Sequence, residues 1–184
     1  VITLWSQYHR VGIGDWRSHL AYGGSIAIEE SETAVFYATP EALLKVNKSD
    51  FSLEHLNPVA GLSDMGVSTI AYAKDAELLV IAYNNGNIDL LYDNGQITNL
   101  SAILKNTTIT GDKSVQHIYC TNQEIYFSCV FGLAIYDLSI DDFKETIQTP
   151  TMDVNACGRL GDTLFMATNK GIYKQARSSL TLAD

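Results

Sequence analysis

The sequence predicts an all-β protein: a β-propeller of about four four-stranded blades, forming an incomplete ring and so a fragment of a larger one. The first observation behind this is a fourfold repeat. A short apolar run ends in a small residue, and a second small residue follows four positions later. The first small residues are Ala38, Ala82, Ser128 and Ala167, spaced by 44, 46 and 39 residues. Their partners are Ala42, Gly86, Gly132 and Gly171. Short strands repeating every 40–50 residues or so mark a propeller. The second observation is turn chemistry: Asn84-Asn85-Gly86-Asn87 and Asp93-Asn94-Gly95 supply the positive φ that tight hairpins require.

Taken in order, residues 1–24 lie outside the repeat and read as an N-terminal segment. Its apolar start, Val1-Ile2-Thr3-Leu4-Trp5, suits either the remnant of a signal sequence or a first strand. The blades are expected over 25–65, 66–113, 114–153 and 154–184. In the second blade the strands are expected at 67–72, 78–82, 87–92 and 96–100. The second strand is almost wholly apolar (Leu79-Val80-Ile81), as befits a strand covered on both faces by neighbouring sheets. The third alternates (Ile88-Asp89-Leu90), which suggests a more outward position. A small residue at the end of strand two lets adjacent sheets approach without overpacking. A piece of a ring should also expose an apolar sheet face at each end. Such a piece is expected to close with few blades, to self-associate through its exposed blade edges, or to be marginally stable.

Composition narrows the function. Hydrophobic residues make up 46% and charged residues 18%, which suits a packed domain. The net charge of −9 argues against nucleic acid and against an anionic membrane surface, and it is compatible with a cationic partner or with simple solubility. No apolar stretch reaches the roughly 18–20 residues of a membrane span. Three cysteines, Cys120, Cys129 and Cys157, make no disulfide framework. In the expected hairpin Ile125, not Cys129, faces Cys120, so the thiols read as semi-buried apolar groups.

No chemical constellation emerges. His9, His19, His55 and His117 are scattered, and no cysteine pair has the spacing of a zinc site. Glu29-Glu30 and Asp141-Asp142 are assigned to solvated hairpin turns. Asp64, Asp89, Asp93 and Asp153 do not form a calcium loop. Gly12-Ile13-Gly14 is too short for a phosphate loop. The expectation is therefore no enzyme, no catalytic residue, no metal and no cofactor. A hydrolase would need carboxylates or histidines converging in a central pocket.

Binding is expected on one face of the ring, where the loops between strands two and three meet the connectors between blades. The loops offer Pro40, Glu41, Asn84, Asn85, Val130, Phe131, Asn169 and Lys170, and the connectors offer Asp64, Asp112 and Lys113. Phe131 either meets a partner or glycan or tucks into the core; packing energy favours the core.

Several landmarks carry a resemblance. Gly61-Leu62-Ser63-Asp64, Leu79-Val80-Ile81 and Asn85-Gly86 resemble the two-component regulator propeller repeat. More closely, four landmarks resemble the N-terminal propeller of PorZ-type proteins of the Bacteroidetes type IX secretion apparatus. These are Gly14-Asp15-Trp16-Arg17-Ser18-His19-Leu20, Ile109-Thr110-Gly111-Asp112-Lys113-Ser114-Val115, His117-Ile118-Tyr119 and Gly132-Leu133-Ala134-Ile135-Tyr136-Asp137. The resemblance implies an exported or cell-surface protein without enzymatic activity. It also implies an accessory role beside a sortase and a link to anionic lipopolysaccharide. Full-length relatives carry two propellers and a C-terminal sorting domain. The alternative is a ligand-sensing propeller from the ectodomain of a hybrid two-component regulator, which shares the generic repeat.

Overall fold

The computed structural model describes residues 23–178. It forms four antiparallel sheets side by side, a propeller fragment. The first sheet holds β1 (Ala27–Glu30), β2 (Ala34–Ala38), β3 (Leu43–Asn47) and β4 (Leu53–Leu56). The second holds β5 (Val67–Ala73), β6 (Leu78–Tyr83), β7 (Ile88–Tyr92) and β8 (Ile97–Leu100). A single helical turn, α1 (Ala102–Lys105), follows in the connector. The third sheet holds β9 (Val115–Cys120), β10 (Glu124–Cys129), β11 (Gly132–Asp137) and β12 (Asp142–Gln148). The fourth has three strands among the described residues: β13 (Val154–Leu160), β14 (Thr163–Thr168) and β15 (Gly171–Ala176). Each sheet is a simple meander. The first strands β1, β5, β9 and β13 pack in sequence against one another and so line the inner edge.

The alternation of strand two explains how the sheets stack. Leu79, Ile81 and Tyr83 of β6 pack with Ala34, Phe36, Ala38 and Leu43 of the first sheet. Leu78, Val80 and Ala82 point the other way, onto Ile125, Phe127 and Cys129 of β10. Tyr126 of β10 then meets Leu164 and Met166 of β14. Sheets two and three are thus covered on both faces, and every residue of β6 and of β10 is buried. Each such Val, Leu or Ile contributes about 1.5–3 kcal/mol of burial energy. Ala38, Ala82 and Ser128 are fully buried between sheets, which is the close approach their size permits. Ala167, the fourth member, is exposed on the outer face of sheet four. Ile172 on that face and Ile28 on the outer face of sheet one are 78% and 63% exposed.

Gly132 shows why the repeat needs glycine. Its φ is +142°, and a Cβ there would lie 2.1 Å from the Ile147 carbonyl oxygen of β12. Gly86, at φ +84°, is similarly hemmed in by Ile103 of α1 and by Lys113.

Two turn assignments need correction, and one strand is more buried than its alternation suggests. Strand β7 does lie outward of β6 in its sheet, yet its Asp89 is fully buried, bonded by the connector before β5 and by Asn99 of β8. Glu29 and Glu30 end strand β1, their backbones pairing with Phe36 and Val35, so the turn begins only at Ser31. Asp141 does occupy a turn, with φ +55°, while Asp142 opens β12. In the connector 101–113, α1 buries Ile103 against the core. His9, His19, Gly12-Ile13-Gly14 and almost all of the segment 1–24 lie outside the described residues.

Candidate binding face

Antiparallel meanders put alternate turns at opposite ends of the sheets. The loops β2–β3, β6–β7, β10–β11 and β14–β15 therefore share one end, here the upper end, with the three connectors between sheets. All eleven candidate residues lie there. Pro40, Asn84, Asn85, Asp112, Asn169 and Lys170 are exposed. Glu41, Asp64, Lys113, Val130 and Phe131 are half-buried.

Hydrogen bonds knit loops to connectors across this end. Val67 N donates to Pro40 O at 2.9 Å, and Asn84 N donates to Gly66 O at 2.8 Å. Asn85 Nδ2 donates to Asp64 Oδ2 at 2.6 Å, joining two candidates. Asn169 Nδ2 donates to Asp153 Oδ2 at 3.0 Å in the same manner on the fourth sheet. Thr149 N donates to Phe131 O at 3.0 Å. The Lys113 ammonium is spent on carbonyls, donating to Leu104 O and Asn106 O at 2.8 Å each. These ties fasten the loops to the connectors.

Between the connectors before and after sheet three lies a groove of about 390 Å³. Phe131 lines it together with Asp112, Val130, Gln148, Thr149 and Asp153. The aromatic is partly buried against the core yet keeps a surface on the groove, so it takes an intermediate place between the two expected for it.

Two clusters escaped the sequence reading. Asp89 accepts from Ser63 N at 2.7 Å, Tyr83 Oη at 2.7 Å and Asn99 Nδ2 at 2.8 Å. It thereby fastens the Asn57–Gly66 connector region to strands β6 and β8. Burial and this carboxylate push the Tyr83 hydroxyl far above its usual pKa. At the lower end the buried Glu124 carboxylate gathers Arg177 at 3.0 Å, Arg159 at 3.3 Å and Lys144 at 3.5 Å. Tyr126 Oη donates to it as well, and Arg177 reaches on to Glu145 at 2.8 Å. Burial alone would raise the Glu124 pKa, but the bonds from Tyr126 and Arg177 and the charges of Arg177 and Lys144 outweigh it. The group is thereby held below its ordinary range. Only the distant pairing 124/159/177 could have signalled this cluster, and no short spacing carries it.

The thiols do not pair: Ile125 faces Cys120 across β9 and β10, and all three cysteines are free. Burial raises Cys157 to about 11 and Cys120 to about 12. His117 is lowered by burial. Among the described residues no three His, Cys, Asp or Glu side chains group as a metal site would require. No helix among them is long and apolar enough to cross a membrane.

Against this geometry, comparison is decisive for family. A sequence model of the PorZ N-terminal β-propeller domain of the type IX secretion system matches residues 35–184. The chain belongs to the PorZ N-terminal β-propeller family. A solved structure of PorZ from Porphyromonas gingivalis, described as an essential bacterial surface component of the type IX secretion system, superposes with a TM-score of 0.81 at 28% identity. The match covers 90% of this chain and 22% of that one, so the chain spans about a fifth of PorZ. The computationally designed protein Ika4 matches with a TM-score of 0.66 at 10% identity, over 86% of this chain and 94% of its own. A domain from B. thetaiotaomicron, described as extracellular in a hybrid two-component system, matches with a TM-score of 0.66 at 16% identity. That match covers 80% of this chain and 20% of the other. The last two likenesses concern the fold alone. No curated protein sequence matches the chain.

Proposed function

We propose that this propeller is a noncatalytic interaction scaffold of a type IX secretion system, working on the exported or surface side of the cell. The observation that carries the reading is the PorZ-family match over residues 35–184. The upper end supports it physically: exposed polar loop residues are held by backbone and Asp–Asn ties into a fixed surface. Rigid loops bind without a large ordering cost. The partner is a protein component of the apparatus that processes exported cargo, a sortase-like subunit, with anionic surface polysaccharide as an additional ligand. The candidate loop residues Pro40, Glu41, Asn84, Asn85, Val130, Phe131, Asn169 and Lys170 form the contact, flanked by Asp64, Asp112 and Lys113.

The test uses cells that carry the full-length protein. Asn85→Lys together with Asn169→Lys puts a positive charge on two loops and removes their amide ties to Asp64 and Asp153, without touching the core. Processed cargo should fall while the protein still reaches the surface at normal level. Unchanged processing would remove the reading.

A further inference from the structure

Sheet three departs from its neighbour at one repeat position. In sheet two Asp64 stands three residues before Val67, and Asn85 stands three after the marker Ala82. The two are joined at 2.6 Å. In sheet three the same offsets give Asp112, three before Val115, and Phe131, three after Ser128. The repeat has kept the acid and replaced its amide partner by an aromatic. Asp112 Oδ1 accepts from Ser114 N at 2.8 Å, but the loop across from it offers no side-chain donor. Both residues line the groove of about 390 Å³.

The groove has a definite electrostatic character. Asp112, from the connector before sheet three, and Asp153, from the one after it, both line it with Phe131 and Gln148. Asp153 Oδ2 already accepts from Asn169 Nδ2 at 3.0 Å, whereas Asp112 has no such amide. Its lining includes no Lys, Arg or His. Nearby Lys113 turns its ammonium to the carbonyls of Leu104 and Asn106. Lys170 is exposed on the next loop, outside the lining. A chain of net charge −9 adds a long-range field of the same sign. An anionic cleft with an aromatic face suits a cation: two carboxylates pair with it, and the ring quadrupole attracts it. Guanidinium matches best, because its flat fork pairs with a carboxylate and also stacks on a ring.

We infer that this groove receives an arginine side chain presented by a protein partner. The inference rests on the interaction-scaffold reading and names the chemistry that surface selects. Asp112 and Asp153 supply the pairing charges, Phe131 the stacking surface, and Thr108, Gln148 and Thr149 the rim hydrogen bonds.

The probe is a ten-residue Gly/Ser peptide with blocked ends and one central Arg, titrated into the ¹⁵N-labelled chain. Its Gln analogue and methyl mannoside are the controls. The Arg peptide should shift amide signals at 108–112, 130–131 and 148–153, with a Kd on the order of 1 mM for a single side chain. Asp112→Asn and Asp153→Asn should each weaken it about two- to fivefold, with native spectra elsewhere. Raising salt from about 50 to 500 mM should weaken it further. Equal shifts from the Gln analogue, shifts from the sugar alone, or no shifts would each overturn the assignment. If the peptide fails to bind while Asn85→Lys with Asn169→Lys still blocks cargo processing, only the arginine site falls and the scaffold reading stands.

Discussion

Asp89 makes a sharp test of how the second sheet is held together. It is fully buried and accepts three hydrogen bonds, from Ser63 N, Tyr83 Oη and Asn99 Nδ2. These donors are neutral, so the carboxylate is stabilised by hydrogen bonds rather than by an ion pair. A hydrogen bond to a charged group is worth about 1.5–3 kcal/mol. Tyr83→Phe removes one and should cost about 2 kcal/mol. Asp89→Asn is isosteric but neutral, and it turns one acceptor into a donor. Asn99 Nδ2 cannot turn away to accommodate it, since it also donates to Asn87 Oδ1 and Ile88 O. The expected cost is about 3–4 kcal/mol. In the Asp89→Asn background Tyr83→Phe should cost about 1 kcal/mol less than in the native protein, because the partner is no longer charged. Urea unfolding reads all four corners of the cycle. With a slope of about 2 kcal/mol per molar, Asp89→Asn should lower the midpoint by about 1.5–2 M. A loss under about 0.5 kcal/mol, or strict additivity with Tyr83→Phe, would refute the argument.

Gly132→Ala should cost about 4 kcal/mol or prevent folding, because positive φ and a backbone clash act together. Gly171→Ala is its control: φ is +134° but nothing lies within 4 Å, so about 1–2 kcal/mol is expected, and equal losses would contradict the clash. Glu124 has a folded pKa below its reference of 4.5, so its stabilisation is full above that value and is lost as pH falls through the lower folded value. Stability of the native chain should therefore drop more steeply below about pH 4.5 than that of Glu124→Gln, and parallel curves from calorimetry would remove the claim. That variant should also cost about 2 kcal/mol at neutral pH, chiefly through Arg177, which would keep Glu145 alone as a carboxylate partner, since Lys144 is 43% exposed and screened. Cys157 and Cys120, raised to about 11 and 12, should stay protonated at pH 8, so thiol reagents should label the native chain far more slowly than the unfolded one. Labelling at the rate of a free thiol would show that they are not buried as described.

Much of the fold was legible because repetition multiplies weak local signals. Ala38, Ala82 and Ser128 each mark a close approach between sheets, and Gly86 and Gly132 each mark a crowded turn. The upper-end loops followed from strand order alone, since antiparallel meanders fix which turns share an end. Asp89 misleads because alternation reports only polarity. A buried carboxylate with three donors and a solvated one look alike in sequence. Glu124 and Arg177 stand 53 residues apart, so their meeting depends on two sheets packing, which no local spacing encodes. The groove beside Phe131 was hidden for a related reason. It lies where Phe131 replaces the amide that would answer Asp112, and the replacement shows only once the register aligns the pair with Asp64 and Asn85.

Site-specific photo-cross-linking on living cells carrying the full-length protein most directly tests whether the loop end of these stacked sheets is the working surface. A photoreactive phenylalanine analogue replaces Asn85 and Asn169 at the upper end, and Asn122 and Asp162 at the lower. Discrete adducts with another component of the secretion apparatus from the two upper positions, and none from the lower, are the predicted result. Adducts arising equally from both ends, or from the lower end alone, would contradict it.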